Sequence, residues 1–204
     1  MLRRIYLDHS ATTPVDPRVV EAMLPFLSET LGKASSIHQL GQEARAAVDR
    51  ARHQTAALIN ARPNEIVFTS GGTESNNLAI RGLVEARAAA REGPGRPHIV
   101  TTVIEHPAVK NVCQDLEKLN FEVTYVPVPE SGVVEADAVI GATRENTVLI
   151  SVMAANNEIG TLQPVAEVGR FVREARTGGK KIYLHTDAVQ AAGKIKVDVE
   201  EMGC

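Results

Sequence analysis

The sequence has little of the residue types that build disulfide-rich, zinc-binding or nucleic-acid-binding proteins. Among its 204 residues there are two cysteines and no tryptophan, and aromatic residues make up 3%. The widely separated Cys113 and Cys204 predict neither a disulfide framework nor a zinc site, and they fit a reducing compartment such as the cytoplasm. With a formal net charge of -3, the chain offers no basic stripe, so we expect no nucleic-acid partner.

Long apolar runs are also lacking. The longest, around residues 147–155, is too short to span a bilayer, and Met1-Leu2-Arg3-Arg4 opens no signal-peptide core. We therefore expect no membrane partner. Hydrophobic residues nevertheless make up 44% of the chain, which predicts a globular protein with a substantial core.

Helical and strand patterns alternate along most of the chain. Asp16-Pro17 predicts the start of a helix that Pro25 kinks and Gly32 ends, and a second helix is predicted over residues 38–60. Strands are predicted at 65–69, 98–103, 121–126, 147–153 and 181–186. Helices are predicted near 74–91, 107–119, 135–143 and 164–176, and a loop at 93–97.

This order predicts an α/β fold with a mainly parallel, doubly wound sheet. Right-handed crossovers cover both faces of such a sheet, and ligands bind beyond the carboxyl ends of its strands. Residues 194–204 contain a fragment of a further predicted strand and no clear stop signal, so we expect the chain to end within a domain.

A carboxylate ends the last predicted strand. Asp187 follows Leu184-His185-Thr186, and a buried carboxylate is costly unless a cation pairs with it. A protonated pyridine nitrogen is one cation that fits. The alternative is a helix N-cap, because Asp is a favoured cap before Ala188.

Three further polar clusters follow predicted strands. The segment Thr69-Ser70-Gly71-Gly72-Thr73 leads into a helix, so its backbone amides and the Thr73 hydroxyl favour an anion such as phosphate. His106 follows the next strand, where it could stack on a planar ring, and Asn156-Asn157 offers amide donors after the fourth. Each has an ordinary structural alternative, namely a Gly-Gly turn, a capping or surface histidine, and an Asn-Asn turn. Parallel topology brings all four clusters to one sheet edge, which favours a single site.

Motifs of this kind resemble those of the cysteine desulfurase and selenocysteine lyase branch of fold-type I pyridoxal-phosphate enzymes, which are class V aminotransferase-like. The resemblance is carried by these segments: Tyr6-Leu7-Asp8-His9-Ser10-Ala11-Thr12-Thr13-Pro14, Phe68-Thr69-Ser70-Gly71-Gly72-Thr73-Glu74-Ser75-Asn76-Asn77, Glu105-His106, Asn156-Asn157-Glu158-Ile159-Gly160 and His185-Thr186-Asp187-Ala188-Val189-Gln190. It implies pyridoxal 5'-phosphate as cofactor and a homodimer at full length. It also implies that residues 1–15 belong to a small domain and residues 16–204 to part of the cofactor-binding large domain.

The resemblance also implies a role for each site residue. Gly72 and Thr73 would hold the cofactor phosphate, and Asp187 would pair with the ring nitrogen. His106, the one catalytic residue implied, would stack on the ring and help proton transfer. The remaining two roles are contact with substrate carboxylate or cofactor for Asn157, and a hydrogen bond to the phenolic oxygen for Gln190.

Two features depart from the family pattern. Lys33-Ala34-Ser35-Ser36 stands where the family usually has Asn-Pro-Ser-Ser near the substrate entrance. We therefore expect this loop to differ from the family's in shape and in substrate contacts. The family's Schiff-base lysine and nucleophilic cysteine would lie beyond Cys204, so we expect this chain alone to be inactive. Cys113 reads instead as a buried helix thiol.

The expected reaction is removal of selenium or sulfur from selenocysteine or cysteine to give alanine. The segments at residues 124–129, 175–181 and 198–203 resemble selenocysteine lyase more closely than cysteine desulfurase, and this resemblance favours the lyase. Two other hypotheses are a non-catalytic fragment that only binds a partner, and another fold-type I enzyme such as a class V aminotransferase or a kynureninase. The sequence leaves the acceptor protein for the sulfur or selenium unidentified.

Overall fold

The computed structural model describes residues 5–90, 93 and 95–204. The predictions for Met1-Leu2-Arg3-Arg4 and for Pro94 in the loop at 93–97 lie outside the described residues. The helices are α1 (Pro17–Ser28), α2 (Gln39–Leu58), α3 (Gly72–Ala89), α4 (Pro107–Lys118), α5 (Ala136–Gly141), α6 (Val165–Thr177) and α7 (Val199–Met202). The strands are β1 (His98–Thr102), β2 (Glu122–Val126), β3 (Thr147–Ser151) and β4 (Tyr183–His185).

By its internal contacts the chain forms two compact units, divided between Ile66 and Val67. The first contains α1 and α2, whose starts follow from side-chain caps. The Asp16 carboxylate accepts from the Arg18 amide at 2.8 Å, and His38 Nδ1 accepts from the Gly41 amide at 3.3 Å. The division predicted at residues 15 and 16, which rests on the resemblance, stays a prediction.

The sequence predicted that Gly32 ends α1, and this prediction was wrong. The helix ends at Ser28, and the Thr30 amide donates to the Pro25 carbonyl at 2.7 Å. Gly32 serves another purpose, because a Cβ there would lie 2.0 Å from the Leu40 carbonyl oxygen. The absence of a side chain therefore lets this segment pass close to α2.

The second unit is built on a parallel four-stranded sheet with the order β2-β1-β3-β4. Every residue of β1 and β3 is buried. Helices α3 and α4 pack on these central strands through one apolar cluster that includes Ile80, Ile99, Leu116 and Leu149. The predicted α/β fold with a mainly parallel sheet is confirmed.

Two strand predictions were wrong. Residues 65–69 form no strand: Glu65 ends the 3₁₀ turn Pro63–Glu65, and Val67 and Phe68 are 67% and 50% exposed. Apolar alternation alone does not make a strand where the described residues provide no neighbouring strand. The fragment predicted after residue 194 contains α7 instead, because the Asp198 carboxylate accepts from the Glu200 and Glu201 amides and starts a helix.

None of the helices in the described part of the chain is both long and apolar enough to cross a membrane. A cavity of about 410 Å³ lies beside the amino ends of β1, β3 and β4, where Thr147 and Ile182 line it. The predicted site residues lie at the opposite, carboxyl edge of the sheet.

Candidate functional site

The loops that leave the carboxyl ends of β1, β3 and β4 are tied to one another. The Met153 amide donates to Glu105 Oε1 at 2.9 Å, which joins the loops after β3 and β1. The Ala154 amide donates to the Asp187 carbonyl oxygen, also at 2.9 Å, and joins the loops after β3 and β4. Chain segments far apart in sequence thus meet at one edge, as the parallel topology predicts.

The amino end of α3 leaves backbone donors available. Its N-cap is Gly71, which provides no side-chain cap, and the first amides of a helix lack partners within the helix. The Glu74 carboxylate accepts from the Ser70 amide at 2.6 Å, one residue before this cap. The amides of Gly72 and Thr73, together with the exposed Thr73 hydroxyl, therefore suit an anionic group.

The loop after β4 lies against this helix end. A Cβ on Gly72 would meet Val189 Cγ2 at 3.1 Å, and Asn76 Nδ2 donates to Asp187 Oδ2 at 2.8 Å. The fold therefore brings two of the predicted clusters, the anion-binding helix end and the strand-terminal carboxylate, into contact.

Asp187 does not cap a helix, so that alternative was wrong. Its Oδ1 accepts from the Val189 amide at 3.1 Å, and residues 189–191 form a turn. The carboxylate is buried, with 8% of the residue exposed. Within the described residues its hydrogen-bond partners are an amide side chain and a backbone amide, and no ion pair includes it. It remains open to a cation that arrives with a ligand.

His106 is the N-cap of α4. Its Nδ1 accepts from the Ala108 amide at 3.1 Å, and the residue is otherwise exposed. A neutral ring that accepts at Nδ1 carries its proton on Nε2. The capping alternative is therefore present in the structure, and the cap fixes the ring orientation while leaving Nε2 free to act as a donor.

The two asparagines after β3 differ. Asn156 Oδ1 accepts from the Glu158 and Ile159 amides at 2.8 and 3.0 Å, so this side chain holds the turn. Asn157 is half-buried, and its amide makes no hydrogen bond among the described residues. Only Asn157 is therefore available to a ligand.

Gln190 is half-buried at the turn after Asp187. Its Oε1 accepts from Lys194 Nζ at 2.5 Å. Lys194 therefore fixes the amide oxygen of a side chain that lies three residues after Asp187 in the chain.

Sequence reasoning missed the roles of four polar residues, the buried Asn76, Glu105 and Ser151 and the half-buried His185. One signal for Asn76 was available. It precedes Ile80 and Val84 at helical spacing, and all three are buried on one face of α3. A polar residue on an apolar stripe indicates a buried hydrogen-bond partner.

Glu105 is a buried acid at the centre of this edge. Oε1 accepts from the Thr102 hydroxyl and the Met153 amide, whereas the buried Oε2 has no partner among the described residues. The pKa of this carboxyl is raised to about 7, chiefly by burial and in smaller part by the nearby Asp187 charge. Glu105 therefore holds its proton far above the usual range.

We expect Glu105→Gln to remove the loss of stability that Glu105 causes as pH rises from 4.5 to about 7. Because the folded pKa is raised from 4.5 to about 7, this residue's contribution is fully present below the lower value and is lost as pH rises through the upper one. Each pH unit in this window removes about 1.4 kcal/mol. Urea unfolding at several pH values measures the slope.

The difference in pH slope of the unfolding free energy between Glu105→Gln and the parent reports the contribution of Glu105 alone. His98 and His185 have pKa values lowered by burial to about 4, which gives the opposite slope, but both are common to the two proteins. The exposed Glu130 provides the control, since Glu130→Gln should retain the parental slope. Equal slopes in Glu105→Gln and parent would mean that Glu105 ionises as an ordinary acid.

Cys113 is a buried thiol of α4, as predicted. Burial raises its pKa to about 12, so it stays protonated at neutral pH and is a poor nucleophile. Within the described residues no group of three or more His, Cys, Asp or Glu side chains could hold a metal ion.

The donor set fits a planar, phosphorylated ligand with a cationic ring nitrogen. An uncapped helix end, a buried carboxylate without an ion pair, an exposed imidazole and an available amide lie on neighbouring segments of one sheet edge. Together with the parallel sheet, they define a cofactor-binding α/β protein. The aminotransferase class-V family model matches residues 5–204, and the chain belongs to that family.

Individual relatives agree with this family. The chain is 50% identical over 203 residues to cysteine desulfurase IscS of Dictyoglomus turgidum, covering 100% of this chain and 49% of the relative. It is 47% identical over 203 residues to the human cysteine desulfurase, covering 99% and 42%. Among solved structures, SspA in complex with cysteine superposes with a TM-score of 0.88 at 41% identity, covering 97% of this chain and 54% of the other.

The chain thus spans about half the length of the curated relatives it matches. The family is pyridoxal-phosphate-dependent, so the cofactor predicted from the resemblance is confirmed for the family.

Proposed function

We propose that this chain provides the cofactor-binding part of a pyridoxal-phosphate-dependent cysteine desulfurase. The observation that carries the proposal is the contact between the uncapped amino end of α3 and the buried carboxylate of Asp187. A phosphate group and a protonated ring nitrogen of one small molecule would satisfy both features.

Each site residue has a task that follows from its surroundings. The Gly72 and Thr73 amides and the Thr73 hydroxyl bind the phosphate, and Asp187 keeps the ring nitrogen protonated. When bound, the cofactor provides a ring that withdraws electrons from the substrate's α carbon. By its resemblance to the family, Gln190 would hydrogen-bond the phenolic oxygen.

His106 and Asn157 face the substrate side in this proposal. The Ala108 amide fixes the His106 ring with a proton on Nε2, so this atom can donate a proton to the reacting molecule and take one back. The unpaired amide of Asn157 binds the substrate carboxylate or the cofactor. The placement of His106 depends on the cap of α4, and that of Asn157 on the turn that Asn156 holds.

Cysteine is the substrate we propose, since the relatives are cysteine desulfurases and SspA was solved with cysteine. Selenocysteine is the second candidate, favoured by residues 124–129, and its product would also be alanine. The homodimer, the cytoplasmic location and an acceptor protein for the sulfur stay proposals. An alanine assay with each amino acid, on a protein that carries this sequence over the length of its relatives, tests the reaction.

Thr73→Ala should weaken cofactor binding about ten- to a hundredfold. The substitution removes one charge-assisted hydrogen bond, worth roughly 1.5–3 kcal/mol, while the backbone donors remain. Titration with pyridoxal phosphate, followed by absorbance, measures the dissociation constant. Thr177→Ala is the matched control, because that exposed hydroxyl donates to the Arg173 carbonyl within α6.

The outcomes separate the proposals. An unchanged affinity in Thr73→Ala would assign Thr73 to the helix end alone. A folded parent that binds no pyridoxal phosphate would favour the non-catalytic, partner-binding alternative. Alanine formation from neither amino acid, with the cofactor bound, would favour another class V aminotransferase-like reaction.

A further inference from the structure

A chain of hydrogen bonds runs from the sheet to the Asp187 carboxylate. Ser151 Oγ lies 2.8 Å from His185 Nδ1, His185 Nε2 lies 3.1 Å from Asn76 Oδ1, and Asn76 Nδ2 donates to Asp187 Oδ2 at 2.8 Å. Its members come from β3, β4 and α3 and from the loop after β4. None of them was assigned a role by the sequence motifs except Asp187.

The donor and acceptor of every hydrogen bond in this series follow from the carboxylate at its Asp187 end. An ionised carboxylate only accepts, so the Asn76 nitrogen faces Asp187 and the Asn76 oxygen faces His185. His185 must then donate from Nε2, which leaves Nδ1 as an acceptor for the Ser151 hydroxyl. Reversing any one bond would place two acceptors or two donors against each other.

All the members except Asp187 are neutral. Burial of the His185 ring lowers its pKa to about 4, so the ring carries no charge near neutral pH. The other titratable group that faces Asp187, Glu105, has a raised pKa and shares the same sign of charge. The protein therefore holds the Asp187 carboxylate in place without cancelling its charge.

We infer that Ser151, His185 and Asn76 are positioning residues, which form a neutral relay that orients Asp187 and reserves its charge for the ring nitrogen of the cofactor. The inference rests on the proposed function and extends it to three residues that touch no ligand. Were His185 cationic, its charge would compete with the ring nitrogen for the same carboxylate.

Nitrogen-15 NMR of the histidine side chains in the full chain tests the relay without cofactor. His185 should carry its proton on Nε2 alone between about pH 6 and 8. In Ser151→Ala the Nδ1 lone pair loses its donor, so the Nδ1 chemical shift should move towards that of an imine nitrogen without a hydrogen bond while the proton stays on Nε2. A parent protein with the His185 proton on Nδ1, or with both nitrogens protonated, would overturn the inference whether or not pyridoxal phosphate binds.

The effect on the ligand is measured with ring-¹⁵N-labelled pyridoxal phosphate in the loaded protein. Ser151→Ala should lower the ring-nitrogen pKa by about one unit, a tenfold change in its protonation. Thr101→Val is the matched control. Thr101 pairs with Ser151 across β1 and β3, and its buried hydroxyl has no partner within the described residues. Ser151→Thr keeps the hydroxyl and should restore the parental value, and equal pKa shifts in Ser151→Ala and Thr101→Val would refute the relay.

Discussion

In a protein that carries this sequence over the length of its relatives, removal of the Asp187 carboxylate is expected to reduce the proposed turnover about ten- to a thousandfold. A carboxylate within contact distance shifts the pKa of a cationic partner by roughly 1–3 units, and each unit corresponds to about 1.4 kcal/mol of lost preference for the protonated ring. Asp187→Ala and Asp187→Asn should both show the loss. Alanine formation from cysteine, together with the absorbance of the bound cofactor, provides the measurement.

Comparison of Asp187→Asn with Asp187→Ala separates the effect of the carboxylate charge from the effect of the turn that the side chain holds. Asn at this position can still accept from the Val189 amide and hold the turn, whereas Ala cannot. Both variants should lose activity, but only Asp187→Ala should also lose stability through the turn. Near-normal turnover in Asp187→Asn would reduce the role of Asp187 to that of a turn residue.

Gly169→Ala is expected to destabilise the second unit by about 3 kcal/mol, at the upper end of overpacking effects. Gly169 lies inside α6, and a Cβ there would fall 1.8 Å from the carbonyl oxygen of Met202. Because the obstacle is backbone, it cannot rotate away, and α7 must leave its place on α6. The free energy of unfolding in urea measures the loss.

Gly82→Ala is the matched control. Gly82 also lies inside a long helix, α3, but it is exposed and a Cβ there would meet nothing within 4 Å. The same substitution should therefore stabilise the protein by about 0.5–1 kcal/mol through helix propensity. Changes of the same sign at the two positions would contradict the close approach of α6 and α7.

Helix starts were the most predictable part of the fold. Asp16-Pro17 gave the first residue of α1, since a side-chain cap and a fixed proline φ act within a few residues of each other. The strands at the centre of the sheet were also predicted, because residues 99–102 of β1 and 147–150 of β3 are continuous apolar or β-branched runs. These signals are local, so the sequence displays them directly.

Features that depend on distant partners were missed. Residues 65–69 have a strand-like pattern, but a strand requires a neighbour that no local pattern specifies. Asp187 was expected to cap a helix or to bind a ring nitrogen, and the sequence could not reveal that Asn76, 111 residues away, donates to it. Hydrogen bonds of this range depend on the packing of α3 beside β4.

In the candidate site, too, some features were predictable from the sequence and others depended on contacts that it does not display. The residues that end strands, such as Asp187 and Asn157, were predicted because parallel topology collects strand ends at one edge. The sequence did not reveal which of these side chains is available to bind a ligand. Asn156 and Asn157 are the same residue type at adjacent positions, yet one is consumed by its own turn and the other is not.

The neutral surroundings of Asp187 link cofactor occupancy to folding. A buried anion that pairs only with neutral groups raises the free energy of the folded protein, and a ligand that brings a cation to it removes that penalty. Mass action then makes the melting temperature depend on the concentration of pyridoxal phosphate. In a cell, the survival of this protein would accordingly follow the supply of its cofactor, because unliganded molecules unfold and are degraded more often.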